Sequence, residues 1–169
     1  MTDTGGGTRE RILAAAATAL SRSGYSKTHL AEIARLARMQ PPAVYYYFSS
    51  REDLIAAVMR EGQRRVREHV SSCLAALHPE APVADRVAAA VEAHLRVELE
   101  LSDFATAVTR NAGQLPAHVR VELQEESEAF HDVWRSLLQE AVTDGTLRTG
   151  IDPSIGRMLV IGALNWATE

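Results

Sequence analysis

At 169 residues, with 46 % hydrophobic side chains, the chain has room for one or two small domains with a proper core. Ten glycines and six prolines are few for an all-β protein, no apolar run reaches the roughly 20 residues of a membrane span, and the single cysteine, Cys73, cannot close an intramolecular disulfide, which suits a reducing cytoplasm. The net charge of −4 argues against nucleic acid until its distribution is read: residues 1–60 carry eight Lys/Arg against five acids, and the remainder ten against seventeen, so a basic end precedes an acidic body.

The polar, glycine-rich opening MTDTGGGTRE has the marks of neither a signal nor a transit peptide and is expected to be a loose arm. From Thr8 to Ser23 the spacing predicts a helix burying Ile12, Leu13, Ala16, Ala17 and Leu20, stopped by Gly24. Tyr25 and Ser26-Lys27 lead to a second helix, with Thr28 as its N-cap, Glu32 in its first turn, and Leu30, Ile33, Ala34 and Ala37 on one face. The period then breaks. Gln40 can cap a third helix whose first turn takes Pro41 and Pro42, and Ala43 to Phe48 continue it. Two short helices joined by a turn of this length are a helix-turn-helix, whose second helix enters the DNA major groove; the first helix completes a three-helix core.

Ser50-Arg51-Glu52-Asp53 is a near capping box that opens a long helix toward His78, with Leu54, Ile55, Val58, Met59, Val66, Val70, Cys73, Leu74 and Leu77 on one face. HPEAP, from His78 to Pro82, is an interhelix loop. Helices are then expected from Val83 to Glu100, from Ser102 to Gly113, and from Pro116 to Gly145 as one long element. Asp152-Pro153, an N-cap followed by proline, starts the last. That helix is apolar nearly all round from Ile155 to Trp166, so it must be buried on several sides, and Gly156 and Gly162 permit close approach of another helix. A homodimer through the last two long helices is expected, and so is a natural chain that continues beyond Glu169.

The candidate DNA-reading residues follow from this layout. Gln40 can form paired hydrogen bonds with adenine, or serve only as a cap; Pro41, Pro42 and Ala43 offer apolar contact, for instance with a thymine methyl. Tyr45, Tyr46 and Tyr47 point about 100° apart and cannot share one core, so either phosphate contact or partial packing awaits each. None of the histidines His29, His69, His78, His94, His118 and His131 forms an i, i+4 pair or a motif with Cys73, so no metal site is expected. Neither a nucleophile elbow, a phosphate-binding loop nor a dinucleotide glycine pattern occurs, and no cofactor or enzymatic activity is expected.

The ordered set ERILAAA, GYSKTHLAEIARLA, VYYYFSS and REDL resembles the N-terminal domain of TetR-type bacterial transcriptional repressors over Thr8 to about Gly62. The resemblance implies that Lys27 and Thr28 begin the second helix near DNA, that Tyr45 packs inward or touches backbone while Tyr46 and Tyr47 lie near phosphates, and that Arg51 contacts phosphate. The family's usual glycine in the turn is Arg38 here, so either Arg38 accepts the strain of φ > 0 or the turn differs; its side chain is a further phosphate candidate. The segment GTLRTGIDPSIGRMLVIGALNWA is similar to members that control lipid catabolism and bind acyl-CoA thioesters.

The reading is therefore all-α: residues 1–49 a helix-turn-helix DNA-binding domain, residues 50–169 a helical regulatory and dimerisation domain. The function expected is a cytoplasmic, homodimeric repressor that leaves a palindromic operator when a small apolar ligand such as an acyl-CoA binds. Phe104, Arg110, Asn111, Phe130, Trp134 and Trp166 are the candidate ligand contacts, with Arg110 and Arg96 placed to meet an anionic head group. The alternative is a helical ligand carrier or enzyme without a DNA-binding role.

Overall fold

The computed structural model describes residues 4–148 and 150–167, whose regular secondary structure is all helical with no strand among them. The helices are α1 (Thr4–Ser23), α2 (Leu30–Leu36), α3 (Pro41–Val44), α4 (Arg51–Ala75), α5 (Val83–Arg96), α6 (Asp103–Asn111), α7 (Ala117–Glu122), α8 (Gln124–Thr143) and α9 (Pro153–Trp166). A π-helical turn (Val97–Leu101) follows α5, and a 3₁₀ turn (Ala112–Gln114) follows α6. Residues 1–3 of the expected arm lie outside the described residues. From Thr4 onward that expectation is corrected, because Gly5, Gly6 and Gly7 are already helical. No described helix is long and apolar enough to cross a membrane.

The chain forms two compact units. The first comprises residues 1–62 and 103–124, so α1, α2, α3, the first half of α4, α6 and α7 share it. Its core is made by Ile12, Ala16 and Leu20 of α1, Ile33 and Ala34 of α2, Val44 of α3, and Leu54, Ile55, Val58 and Met59 of α4, all essentially inaccessible. The i, i+3, i+4 spacing read from the sequence puts these side chains on one stripe of each helix. Residues 103–124 add Phe104, Ala107, Leu115, Val119 and Leu123 to the same core. At Gly62 a Cβ would run into the backbone carbonyl of Phe104 and the side chain of Val108, so only glycine lets α4 and α6 come this close. Polar groups fasten α6 to α1. The Asp103 carboxylate accepts from Thr18 Oγ1 (2.6 Å) and Ser21 Oγ (3.3 Å), and Arg110 donates to the Ser21 carbonyl.

The second unit comprises residues 63–102 and 125–169. Val66 and Val70 of α4, Ala90 and Ala93 of α5, Val97, Trp134, Leu137, Leu138 and Ala141 of α8, and Leu164 of α9 are buried in it. Arg67 meets Glu126 at 2.6 Å, and Arg86 pairs with Glu140. Two boundaries differ from expectation. The helix from Val83 leaves α geometry after Arg96. The single long helix expected from Pro116 is two, because Leu123 turns the chain with a short bond to the Arg120 carbonyl (3.2 Å) between α7 and α8. The stop at Gly145 (φ +80°) and the start at Asp152, whose carboxylate accepts from the Ser154 and Ile155 amides, are as read.

Candidate functional site

α2 and α3 are separated by four residues, and the turn is a complete left-handed helix stop. The Met39 amide donates to the Ala34 carbonyl (2.9 Å) and the Arg38 amide to the Arg35 carbonyl (3.1 Å), with Arg38 itself at φ +57°. Arg38 is the one non-glycine residue with positive φ among those described, so it accepts the strain instead of changing the turn. The side chain is exposed. Gln40 is the N-cap of α3, exposed, with its carbonyl accepting from the Ala43 amide (2.9 Å) and its side chain making no cap bond. Pro41 and Pro42 occupy the first turn as expected, Pro42 exposed, Pro41 and Ala43 half-buried.

The tyrosines depart from the expected order. α-Helical geometry ends at Val44, and Tyr45, Tyr46 and Tyr47 follow in tight turns with amides bonded three residues back. Val44 and Phe48 are the buried pair, which leaves Tyr47 packed against the core beside them. Tyr45 (58 %) and Tyr46 (89 %) stand in solvent. Of the two expectations for Tyr45, packing inward is excluded and backbone contact is left, while Tyr47, expected near phosphate, packs against the core.

Two further expectations are corrected at the ends of α2 and α4. Thr28 does not cap α2. His29 takes the N-cap position, and Thr28 is fully buried with its hydroxyl donating to the Gly24 carbonyl (2.8 Å). Arg51 faces inward along the chain, not outward. Its Nε donates to the Thr28 carbonyl (2.8 Å), its Nη2 to the Tyr25 carbonyl, its Nη1 to Glu52, and the guanidinium lies 4.6 Å from the Tyr25 ring centre. It ties the start of α4 to the α1–α2 link. The cap beneath it forms as read: Ser50 Oγ accepts the Asp53 amide (3.0 Å), and Asp53 reaches back to Ser49 (2.8 Å). Lys27 is exposed.

The six ligand candidates divide between the two units. Phe104, Arg110 and Asn111 belong to the first unit. Asn111 is fully buried, accepts from the Tyr25 amide (2.6 Å) and donates to the Ala107 (2.7 Å) and Leu20 (3.4 Å) carbonyls, so its polar atoms secure α6 against α1. Phe104 is core. Trp166, in the second unit, is 78 % exposed. Phe130 and Trp134 do meet, around a residue not singled out from the sequence. His94 lies 5.8 Å from the Phe130 ring and 6.0 Å, edge-on, from the Trp134 ring. Burial pushes its imidazole down to about 4, and neither ring nitrogen has a hydrogen-bond partner. The signal available was a histidine on an apolar stripe with Glu98 four residues on; the two carboxylate and imidazole groups are 4.0 Å apart and both buried. A second i, i+4 pair also escaped. His69 Nε2 stands 3.8 Å from Cys73 Sγ, beside a mostly apolar cleft of about 240 Å³ that Arg96 helps line. Even so, no group of three metal-ligating side chains occurs among the described residues.

The last two long helices carry an uncovered face. Ile155, Met158, Leu159 and Trp166 of α9 are each more than half exposed, Val142 of α8 is exposed, and nothing lies within 4 Å of the Cβ position of Gly162.

A basic helix-turn-helix unit followed by a helical unit with a buried aromatic box and an uncovered apolar helix defines a one-component regulator, with DNA reading and sensing in one chain. Residues 12–58 match the family model for bacterial regulatory proteins of the tetR family, and residues 80–169 that for the tetracyclin repressor-like C-terminal domain. The chain belongs to this family of transcriptional regulators and is not an enzyme. It is 19 % identical to the fatty acid metabolism regulator protein of Bacillus subtilis strain 168, over 92 % of this chain and 78 % of that one. Its fold matches the fatty acid degradation regulator FadR of Bacillus halodurans (TM-score 0.81, 18 % identity, 99 % of this chain and 84 % of that one). It also matches AibR in complex with isovaleryl coenzyme A and operator DNA (TM-score 0.83, 22 % identity, 95 % and 85 %).

Proposed function

We propose that the protein is a cytoplasmic homodimeric repressor whose first unit reads a palindromic operator and whose second unit releases it on binding an acyl-CoA. The observation that carries the DNA half is the cluster of exposed Gln40, Pro42, Tyr45 and Tyr46 at and just after the second helix of a helix-turn-helix. Gln40 is the candidate base-reading residue. Pro41, Pro42 and Ala43 supply apolar contact, and Tyr45, Tyr46, Lys27 and Arg38 are the phosphate candidates. The unit that holds them has ten Lys/Arg against eight Asp/Glu, whereas the other has eight against fourteen. By function the chain divides into residues 1–49 for DNA and 50–169 for regulation and pairing, with residues 50–62 and 103–124 packed in the same compact unit as the DNA-reading helices. One short recognition element reads too few bases for a specific site, so pairing through α8 and α9 on a two-fold operator supplies the rest.

Support for the ligand comes from the relatives: the AibR structure holds isovaleryl-CoA, and a B. subtilis FadR structure holds stearoyl-CoA. An effector must bind the low-affinity state better than the DNA-bound one. α4 runs unbroken from one compact unit into the other and is the element suited to transmit that preference.

The test is binding to DNA upstream of the protein's own gene, with acyl-CoAs of increasing length and the free acids. Gln40→Ala is expected to lose about 1–3 kcal/mol of discrimination at one base pair. Tyr46→Phe is expected to weaken binding to all sequences alike. Operator binding unchanged in both variants would reject these contacts. Binding insensitive to every acyl-CoA would reject the ligand class and leave the regulator standing.

A further inference from the structure

Among the described residues of the second unit, four buried side-chain atoms besides Gln63 Oε1 have no hydrogen-bond partner: both ring nitrogens of His94, Nε1 of Trp134 and Nδ1 of His131. Buried polar atoms in native proteins are nearly always paired, with protein, water or ligand. These are not scattered. His94 and Trp134 meet edge-on at 6.0 Å, Phe130 covers a second side of the imidazole at 5.8 Å, and His131 meets Phe130 edge-on at 5.3 Å. His94 and Trp134 are 2 % and 1 % exposed. The chain leaves α geometry just beyond His94, in the π turn that carries Glu98, and π turns inside helices recur at functional sites.

Resting on the proposal that this unit takes up the effector, we infer that the His94–Trp134–Phe130 box binds an uncharged carbonyl or hydroxyl oxygen set within the otherwise apolar, buried part of that effector. The chemistry is specific. Indole Nε1–H only donates, and a neutral imidazole offers one donor and one acceptor. Burial keeps His94 neutral at pH 7. Two donors and one acceptor suit a carbonyl oxygen that accepts from both rings, or a hydroxyl that accepts from the indole and donates to the unprotonated imidazole nitrogen. A saturated hydrocarbon leaves both donors unpaired. A carboxylate meets a dry box with the buried Glu98 Oε1 4.0 Å from His94 Nε2. The site thus selects a keto, hydroxy or thioester-carbonyl function over a bare chain or a free acid.

The experiment uses the full chain and three probes of equal length: nonane, 2-nonanone and nonanoate. Binding is followed by ¹⁵N NMR of the indole N–H of Trp134, assigned with Trp134→Phe, and of the His94 ring nitrogens. 2-Nonanone is expected to bind at least about tenfold more tightly than either of the others, as expected when a lost partner leaves a buried donor unpaired. His94→Phe retains the ring stacking and removes both nitrogens. It is expected to bring the ketone and the alkane within about twofold of each other. Equal binding of the three in the parent overturns the inference, as does a ketone preference that survives His94→Phe. So does a box that shows ordered water only and no response to the ketone. A ketone preference combined with an operator that no acyl-CoA releases rejects the acyl-CoA effector and keeps this inference. Release by acyl-CoAs with no ketone preference does the reverse.

Discussion

The two compact units treat their buried polar groups in opposite ways. In the first, buried Thr28 donates to the Gly24 carbonyl, buried Asn111 accepts from the Tyr25 amide, buried Ser21 donates to the Thr18 carbonyl and to Asp103, and half-buried Arg51 donates to two carbonyls of the α1–α2 link. In the second lie all the buried side-chain N and O atoms without a partner among the described residues, on Gln63, His94, His131 and Trp134. Its last helix also leaves Ile155, Met158, Leu159 and Trp166 to solvent. A DNA-reading head has to present a fixed surface, and complete pairing rigidifies it. A sensing and pairing body needs unfinished surfaces that a ligand and a second copy complete. The contrast is thus one of function as well as of packing.

The uncovered face gives the largest expected effect. Leu159→Glu places a charge in the centre of the α9 stripe. The variant is expected to run at half the parent's mass in sedimentation, and its affinity for a palindromic operator to fall by two orders of magnitude or more, to about the level of non-specific binding. Parent and variant of equal mass would mean that α9 is covered by something other than a second copy.

The unpaired box gives the next. His94 has a folded pKa of about 4 against an ordinary 6.5. The lowered value means that the unfolded chain binds the proton more readily. Stability is therefore intact above pH 6.5 and lost as pH falls from 6.5 toward 4, by on the order of 3 kcal/mol. His131 shifts the same way, from burial first and then from the nearby Arg157 and Arg135. His94→Phe is expected to flatten this part of a stability–pH curve measured in urea. A parent curve already flat between pH 6.5 and 4 would show that His94 is not desolvated.

The paired network gives a loss of about 2–3 kcal/mol. Asn111→Ala removes the acceptor for the Tyr25 amide and strips two carbonyls of a donor in a fully buried site. Thermal unfolding at neutral pH measures it, and an effect below about 1 kcal/mol would mean that water replaces the side chain.

In both units the sequence disclosed what acts locally and hid what acts at a distance. The three-helix head was legible because period, capping and turn chemistry all act within a few residues: Gly24, Pro41-Pro42 and Ser50 each mark their boundary by local sterics, as Asp152-Pro153 does for the last helix. The function was legible through the same stretch. The partners of Arg51 and Asn111 were not, because they lie 23 to 26 and 86 residues away, and a polar residue ready for solvent or ligand has the same letter as one that bonds a distant carbonyl. Which tyrosine packs was not legible because the helix tightens after Val44, which rotates Tyr45 outward and Tyr47 onto the core. The break at Leu123 has no glycine or proline to announce it. His94 was passed over because a histidine on an apolar stripe is read as core, and its lack of partners shows only in three dimensions.

The smallest effect compares two helix ends within the head. α1 and α2 both stop on a left-handed residue, Gly24 at φ +77° and Arg38 at φ +57°. For glycine that conformation is free of Cβ strain; for an L residue it costs about 1–2 kcal/mol. Arg38→Gly relieves the strain but also frees the unfolded chain, which returns about 0.4–1 kcal/mol. A net gain of about 0.5–1 kcal/mol is expected, read as a rise of about 2–4 °C or less in Tm. The converse, Gly24→Arg, is expected to cost a similar amount, since the Cβ itself meets only Asn111 Oδ1 at an ordinary 3.6 Å. If Arg38 is retained for a phosphate contact, Arg38→Gly also lowers the salt dependence of operator binding by about one counterion while raising stability. A variant that is more stable and binds operator with an unchanged salt slope would remove Arg38 from the interface and leave its strain without a function.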